Sequence, residues 1–153
     1  MPDVFTKKKR SKVMAAIRAR GNKDTELKLI SILRSDWITG WRRHAKLPGR
    51  PDFVFRAKRV AVFVDGCFWH GCPKHGRRPG TNGEYWIPKL ARNKARDRQT
   101  SQMLRKSGWI VIRFWEHELS KSQTVLRRLR SILDSNECSP RGYILVKRSV
   151  KRK

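Results

Sequence analysis

Apolar positions recur at helical spacing first in 25–37. Leu27, Ile30, Leu33 and Trp37 lie three or four residues apart, and Leu29 and Ile32 widen the stripe. The spacing predicts a helix capped by Asn22 or Asp24, with Glu26 in its first turn, where a carboxylate is electrostatically favoured. A shorter helix carrying Val13, Met14 and Ile17 precedes it and stops near Gly21. Leu47-Pro48-Gly49-Arg50-Pro51 reads as a turn. Phe53-Val54-Phe55 and the valine-rich run from Arg59 to Val64 read as two strands of a hairpin. Their poor alternation suits a sheet covered on both faces. From Asp65 to Tyr85 the chain is rich in glycine, proline, cysteine and histidine, and predicts little regular structure. Trp86 to Lys106 predicts a long helix with Ile87, Leu90, Ala91, Met103 and Leu104 on its apolar face, closed by Gly108. Trp109-Ile-Val-Ile-Arg-Phe-Trp115 is the clearest strand. Val125, Leu126, Leu129, Ile132 and Leu133 mark a last helix, and Gly142 to Val146 allows a small further strand. The order predicts an α/β domain: a small mixed sheet flanked by helices.

Charge narrows the partners. The 153 residues carry 38 Lys and Arg against 12 Asp and Glu, a formal net charge of +26. Self-repulsion on that scale favours an anionic partner: nucleic acid, an anionic membrane surface or an acidic protein. No apolar run is long enough to cross a membrane, and the basic start lacks the apolar stretch of a secretory signal. No segment pairs a broad apolar face with a basic one, which disfavours a membrane-surface role. Three cysteines make no complete disulfide framework, so an intracellular setting is simpler. Residues 1–20 read as a basic arm, 21–146 as the domain and 147–153 as a basic tail. The arm, the tail and the Lys/Arg positions of the long helix (Lys89, Arg92, Lys94, Arg96, Arg98) supply phosphate contacts.

Among so few acidic residues, Asp52 stands out at the head of an apolar strand. It suits either a turn cap after Pro51 or a ligand for a divalent cation against a phosphate. Asp65 ends the next strand, and a hairpin brings the two ends together; Asp-Gly is also a common turn pair. His70 is a candidate proton-transfer group. Glu26 and Asp97 are helical carboxylates, either caps and ion-pair partners or members of the same site. Cys67, Cys72, His75 and His117 can complete a tetrahedral zinc site, which would hold a loop without its own core; the bland alternative is two structural thiols and exposed histidines. Phe68, Trp69 and Trp86 either pack over that loop or stack on bases.

Two runs carry a resemblance. Leu47-Pro-Gly-Arg-Pro-Asp52-Phe and Val62-Phe-Val-Asp-Gly-Cys67-Phe-Trp-His70-Gly-Cys72-Pro strongly resemble the very short patch repair endonucleases. So do Ser11-Lys12 with Met14 and Ile17, Tyr85-Trp86 with Lys89, Asn93 and Arg96-Asp97-Arg98, and Gly108-Trp109 to Phe114-Trp115-Glu116. The similarity runs from about residue 3 to 134. It implies a restriction-endonuclease-like fold, a variant of the PD-(D/E)XK type, with a structural zinc site. It implies a magnesium-dependent enzyme that nicks double-stranded DNA 5′ to the thymine of a T:G mismatch left by deamination of 5-methylcytosine. It further implies a functional link to a DNA cytosine methyltransferase and a bacterial cytoplasmic, nucleoid-associated location. A monomer is expected, since a single nick needs one active site.

Carried onto these residues, the resemblance makes Asp52 and the Val64 carbonyl magnesium ligands. His70 becomes the acid–base group, with Glu26 acting through metal-bound water. Phe68, Trp69 and Trp86 form a wedge beside the mismatch. Lys7, Lys8, Lys9, Arg10, Lys12 and Met14 clamp the opposite groove, and Lys89, Asn93 and Arg96 add DNA contacts. Cys67, Cys72, His75 and His117 hold zinc. Asp65 departs from the pattern: well-known members have a second active-site histidine there, whose usual partner matches Asp97. Asp65 is then either an additional metal ligand or a change to the proton-transfer scheme. Two other readings remain: a nicking nuclease of different mismatch or modified-base specificity, and a non-catalytic zinc-containing DNA-binding protein.

Overall fold

The computed structural model describes residues 25–76, 80 and 82–135, with residues 6, 8 and 9. The expected first short helix, the expected caps Asn22 and Asp24, and the strand expected at 142–146 lie outside the described residues, as do Lys7, Arg10, Lys12 and Met14; Thr25, rather than Asn22 or Asp24, stands at the N-cap of the helix that begins at Glu26. Among the described residues the chain forms three long helices around a four-stranded mixed sheet. In order these are α1 (Glu26–Ser35), β1 (Trp41–Arg43), β2 (Phe53–Phe55), β3 (Val60–Asp65), α2 (Gly83–Lys106), β4 (Ile110–Trp115) and α3 (Ser122–Ser135). The sheet order is β1-β2-β3-β4. β2 pairs antiparallel with β1 and β3, whereas β3 and β4 run parallel, from Val60 opposite Ile110 to Asp65 opposite Trp115.

Both faces of the sheet are covered. On one, Phe53, Phe55, Val60, Val62, Val64, Ile112 and Phe114 pack against Leu29 and Leu33 of α1 and Val125 and Leu129 of α3. On the other, Val54, Ala61 and Phe63 meet Leu104 of α2. Every residue of β2 and β3 is therefore buried, which is why their sequence does not alternate. No described helix is long and apolar enough to cross a membrane.

Three expectations need correction. α1 ends at Ser35, before Trp37. Ile38 N–H bonds to the Leu33 carbonyl at 2.9 Å and Trp37 N–H to that of Arg34 at 3.2 Å, a Schellman closure. Trp37 occupies its left-handed position at φ 54° and is 88% exposed. Leu27 is also exposed, because the buried stripe is Glu26, Leu29, Ile30 and Leu33 with Ile32. Second, β1 was not anticipated: three residues, Trp41-Arg42-Arg43, carry no pattern and are strand by virtue of pairing with β2. Third, α2 begins at Gly83 and does not turn Ile87, Ala91 and Met103 inward. Its buried residues are Trp86, Thr100, Ser101 and Leu104. Half-buried Leu90, Asn93 and Asp97 continue that face at helical spacing, so the inward stripe is polar in its middle.

The 47–51 turn forms as expected, with Arg50 N–H bonded to the Leu47 carbonyl at 2.9 Å. Gly49 has φ +71°, and a Cβ there would lie 2.1 Å from Thr100 Cγ2 of α2. Gly49→Ala is expected to lower stability by about 1–3 kcal/mol through overpacking and left-handed strain. Urea unfolding against the unchanged protein measures it.

Candidate active site and metal centre

Strand alternation gathers the site. Side chains of β3 and β4 point in turn to the two sheet faces. Val62 and Val64 face the α1/α3 core, which leaves Phe63 and Asp65 on the α2 face. Ile112 and Phe114 do the same on β4, leaving Arg113 beside Asp65. Asp52, just before β2, reaches the end of β3 through the antiparallel pairing. Its Oδ2 accepts the Val64 N–H at 2.8 Å. The first turn of α1 brings Glu26, buried and ion-paired with Arg43 of β1. A cleft of about 370 Å³ is lined by Glu26, Asp52, Asp65, His70, Arg96 and Asp97, among others. All five acid–base candidates from the sequence thus share one site.

The pairings inside it are definite. His70 Nδ1 lies 2.6 Å from Asp97 Oδ2 and 3.7 Å from Asp65 Oδ1. Since its near partner is a carboxylate, Nδ1 carries the proton and Nε2 is the exchangeable nitrogen. Asp97, matched by resemblance to the partner of a second histidine, here holds the first. Asp65 receives the Arg113 guanidinium on both oxygens, Nε at 2.6 Å and Nη2 at 2.8 Å. Arg113 Nη2 also lies 3.0 Å from Asp97 Oδ1.

Burial pushes the Asp52 carboxyl up to about 6; the Val64 N–H opposes this, and the charges of Glu26 and Asp65 add to it. Burial pulls His70 down, but the Asp97 hydrogen bond and the charges of Asp65 and Asp97 outweigh it and raise its pKa. Burial likewise opposes ionisation of Asp97, and His70 and Arg113 outweigh it, holding the carboxyl below its usual value.

The second cluster follows from the same parallel register. Asp65 stands opposite Trp115, and the chain continues two residues on each side to Cys67 and His117. Cys67 Sγ lies 3.2 Å and Cys72 Sγ 3.6 Å from His117 Nδ1. With His75, the four ligand atoms lie within 4.8 Å of one another, a set able to hold one metal ion. Turns of the loop present them: Cys72 N–H bonds to the Cys67 carbonyl at 2.9 Å and Gly76 N–H to the Cys72 carbonyl at 2.7 Å. Burial and the neighbouring Cys72 raise the Cys67 thiol, against the His117 contact, so metal binding must displace its proton.

The aromatic residues form a third group. Phe68, Trp69 and Trp86 pack edge to face with centroids 5.2 to 5.8 Å apart. Trp86 is buried, while Phe68 and Trp69 are half-buried. Lys89 Nζ lies 5.7 Å from the Trp69 ring centre and 5.2 Å from that of Trp86. Asn93 Nδ2 donates to the Trp69 carbonyl at 2.9 Å, steadying the loop from α2. Lys8 and Lys9 are exposed.

The family model for the DNA mismatch endonuclease Vsr matches residues 2–75. The type II nicking enzyme V.XorIIP of Xanthomonas oryzae is 39% identical over 137 residues, 88% of this chain and 98% of its own. The chain belongs to the Vsr family of DNA endonucleases. The DNA mismatch endonuclease Vsr of Escherichia coli is 40% identical over 119 residues, 76% of this chain and 74% of its own. The type II nicking enzyme V.NaeI of Lentzea aerocolonigenes is 62% identical over 69 residues, which span 45% of this chain and 42% of that relative.

Sequence reasoning missed Arg113 and Arg43. Arg113 carried a signal: it is the one charged residue in the strand 109–115. Arg43 carried none, since β1 itself was not legible. Metal analysis of the purified Vsr-family chain is expected to find one tightly bound ion at the Cys/His set. Cys72→Ser should lose it and melt at lower temperature, because a metal bound only by the folded chain adds to folding energy.

Proposed function

We propose that this Vsr-family chain is a magnesium-dependent endonuclease that nicks double-stranded DNA 5′ to the thymine of a T:G mismatch and so starts very short patch repair. The observation carrying this reading is the convergence of Asp52, Glu26 and the His70–Asp97 pair on one cleft, next to a cluster of aromatic rings. The relative named DNA mismatch endonuclease supports the mismatch. The mixed sheet with helices on both faces suits a restriction-endonuclease-like scaffold.

The donor set fits a divalent cation. Burial pushes Asp52 up to about 6, with the charges of Glu26 and Asp65 adding to it, so a cation would stabilise its buried carboxylate form. Asp52 and the Val64 carbonyl would hold magnesium, with Glu26 behind its water. Bound there, magnesium supplies Lewis acidity toward the phosphate and a more acidic water. Hydrolysis joins the water oxygen to phosphorus, with the water's proton released to solvent, as one P–O ester bond breaks. His70, favoured in its protonated form by Asp97 and Asp65, delivers a proton to the leaving oxygen through Nε2. Cys67, Cys72, His75 and His117 would hold structural zinc, supplying the two thiolates and two imidazoles that such a site takes.

The aromatic cluster is the mismatch probe. Trp86 forms its buried base, and Phe68 and Trp69 enter the stack, which yields more readily at a wobble pair. Lys89, Asn93 and Arg96, the 1–20 arm with Lys7, Lys8, Lys9, Arg10, Lys12 and Met14, and the 147–153 tail bind the duplex. A monomer, a functional link to a DNA cytosine methyltransferase and a cytoplasmic setting belong to the same reading. A second reading has the same chemistry with another mismatch or modified base, favoured by relatives named type II nicking enzymes.

Strand-specific cleavage of labelled duplexes, with magnesium and with chelator, tests both. The expected result is a magnesium-dependent nick 5′ of the thymine opposite guanine. Cutting at a different mismatch selects the second reading; tight binding with no cutting leaves a DNA-binding protein. Asp52→Asn is expected to slow nicking by about a hundredfold or more while duplex affinity is retained. The pH–rate profile should fall below about pH 6 as Asp52 takes up its proton. Because proton and cation compete for that carboxylate, added magnesium should move this limb to lower pH; a fixed limb would contradict the assignment.

A further inference from the structure

Arg113 lies at the centre of the cleft's polar wall and has no part in the chemistry just described. It projects from β4, where its neighbours Ile112 and Phe114 are buried in the opposite core. Its guanidinium stacks 4.5 Å from the Phe63 ring centre. Nε and Nη2 grip both oxygens of Asp65 at 2.6 and 2.8 Å. Nη2 also meets Asp97 Oδ1 at 3.0 Å. Nη1 reaches Ser101 Oγ at 3.3 Å and the Asp97 carbonyl at 3.5 Å. These contacts account for the N–H groups a guanidinium has. The side chain is occupied within the protein and holds β3, β4 and α2 together, so it is not placed to bind phosphate.

Its effect falls on two carboxylates. Asp65 Oδ1 is 3.7 Å from His70 Nδ1, near enough to compete with Asp97 Oδ2 at 2.6 Å. Asp65 also lines the cleft with Asp52, whose Oδ2 accepts the N–H of Val64, the residue next to Asp65, so an unclamped Asp65 carboxylate would be a rival ligand for a cation there. The two-point grip occupies Asp65 in both respects. The contact with Asp97 Oδ1 leaves Oδ2 for the histidine.

We propose that Arg113 is a positioning residue for the nicking reaction: by clamping Asp65 and Asp97 it selects Asp97 as the partner of His70 and withholds Asp65 from the cation. This rests on the endonuclease reading above and adds to it a division of labour among four acidic residues. A lysine cannot substitute, because one ammonium cannot make the two-point grip and the Asp97 contact in that fixed geometry.

The test compares Arg113→Lys and Arg113→Gln with the unchanged protein. The readouts are single-turnover nicking of a T:G duplex, affinity for that duplex in chelator, and folding by circular dichroism. Both variants are expected to nick about 10- to 100-fold more slowly, the scale of a small misplacement at a reacting centre, with duplex affinity within about threefold. Should Arg113→Gln fail to fold, having left Asp65 buried and without its arginine, Arg113→Lys carries the rate test; Asp65→Asn/Arg113→Gln, which removes the competing carboxylate together with its clamp, should recover part of the rate lost in Arg113→Lys with affinity kept, and no recovery overturns the withholding of Asp65. A folded variant that nicks at the unchanged rate overturns the positioning role and leaves the endonuclease reading intact. So does full activity in Arg113→Lys, which would reduce the role to charge alone. Rate and affinity falling together would point to DNA contact instead and also overturn it. An unchanged protein that nicks no duplex overturns the endonuclease reading, and the proposal with it.

Discussion

The parallel pairing of β3 with β4 is the constraint from which the rest of the molecule follows. Parallel neighbours cannot be joined by a tight turn, so the chain must leave the sheet and return over one face. The return is α2, and it covers the face on which Asp65 and Arg113 stand. The same pairing sets the positions beyond the strands. Asp65 opposite Trp115 means that two residues on, Cys67 meets His117. One register therefore aligns the cleft and closes the Cys/His set.

The cleft is built against the charge of the chain. A protein of net charge +26 gathers Glu26, Asp52, Asp65 and Asp97 around one space. Two of the four are neutralised by arginines from neighbouring strands, Glu26 by Arg43 and Asp65 by Arg113. Asp97 is shared between Arg113 and His70. Burial holds the proton on Asp52, against the opposing hydrogen bond from the Val64 N–H. Unequal pairing thus gives similar carboxylates different surroundings: Glu26 and Asp65 are anchored by arginines, Asp97 bonds His70, and Asp52 accepts a backbone N–H.

The loop after β3 joins the two centres. Between Cys67 and Cys72 it carries Phe68, Trp69 and His70, so the residues that hold the loop alternate with those that face the cleft and the aromatic cluster. α2 secures it from the other side, through Asn93 to the Trp69 carbonyl and Asp97 to His70. Small displacements at the rings are therefore mechanically close to the histidine, over three residues of chain.

The linear order of residues by itself determined a good deal. Helical and strand patterning located α1, β2, β3, α2, β4 and α3 within a few residues, and the runs around Asp52 and Cys67 carried the family resemblance and some of the candidates of each residue set. These are local properties: periodicity, turn chemistry and the close spacing of Cys67, His70 and Cys72. What only tertiary structure decided involves partners far apart in the chain. β1 is a strand because β2 lies beside it, and its short sequence has no period to read. Trp37 is exposed because Leu33 and Arg34 carbonyls close the helix before it. The inward stripe of α2 was misread because apolar residues were expected there, whereas a helix roofing a polar cleft turns Asn93, Asp97, Thr100 and Ser101 inward. Arg113 was visible as a charge inside an apolar strand, yet its meaning depended on the β3–β4 register, which sets Asp65 beside it at a sequence separation of 48.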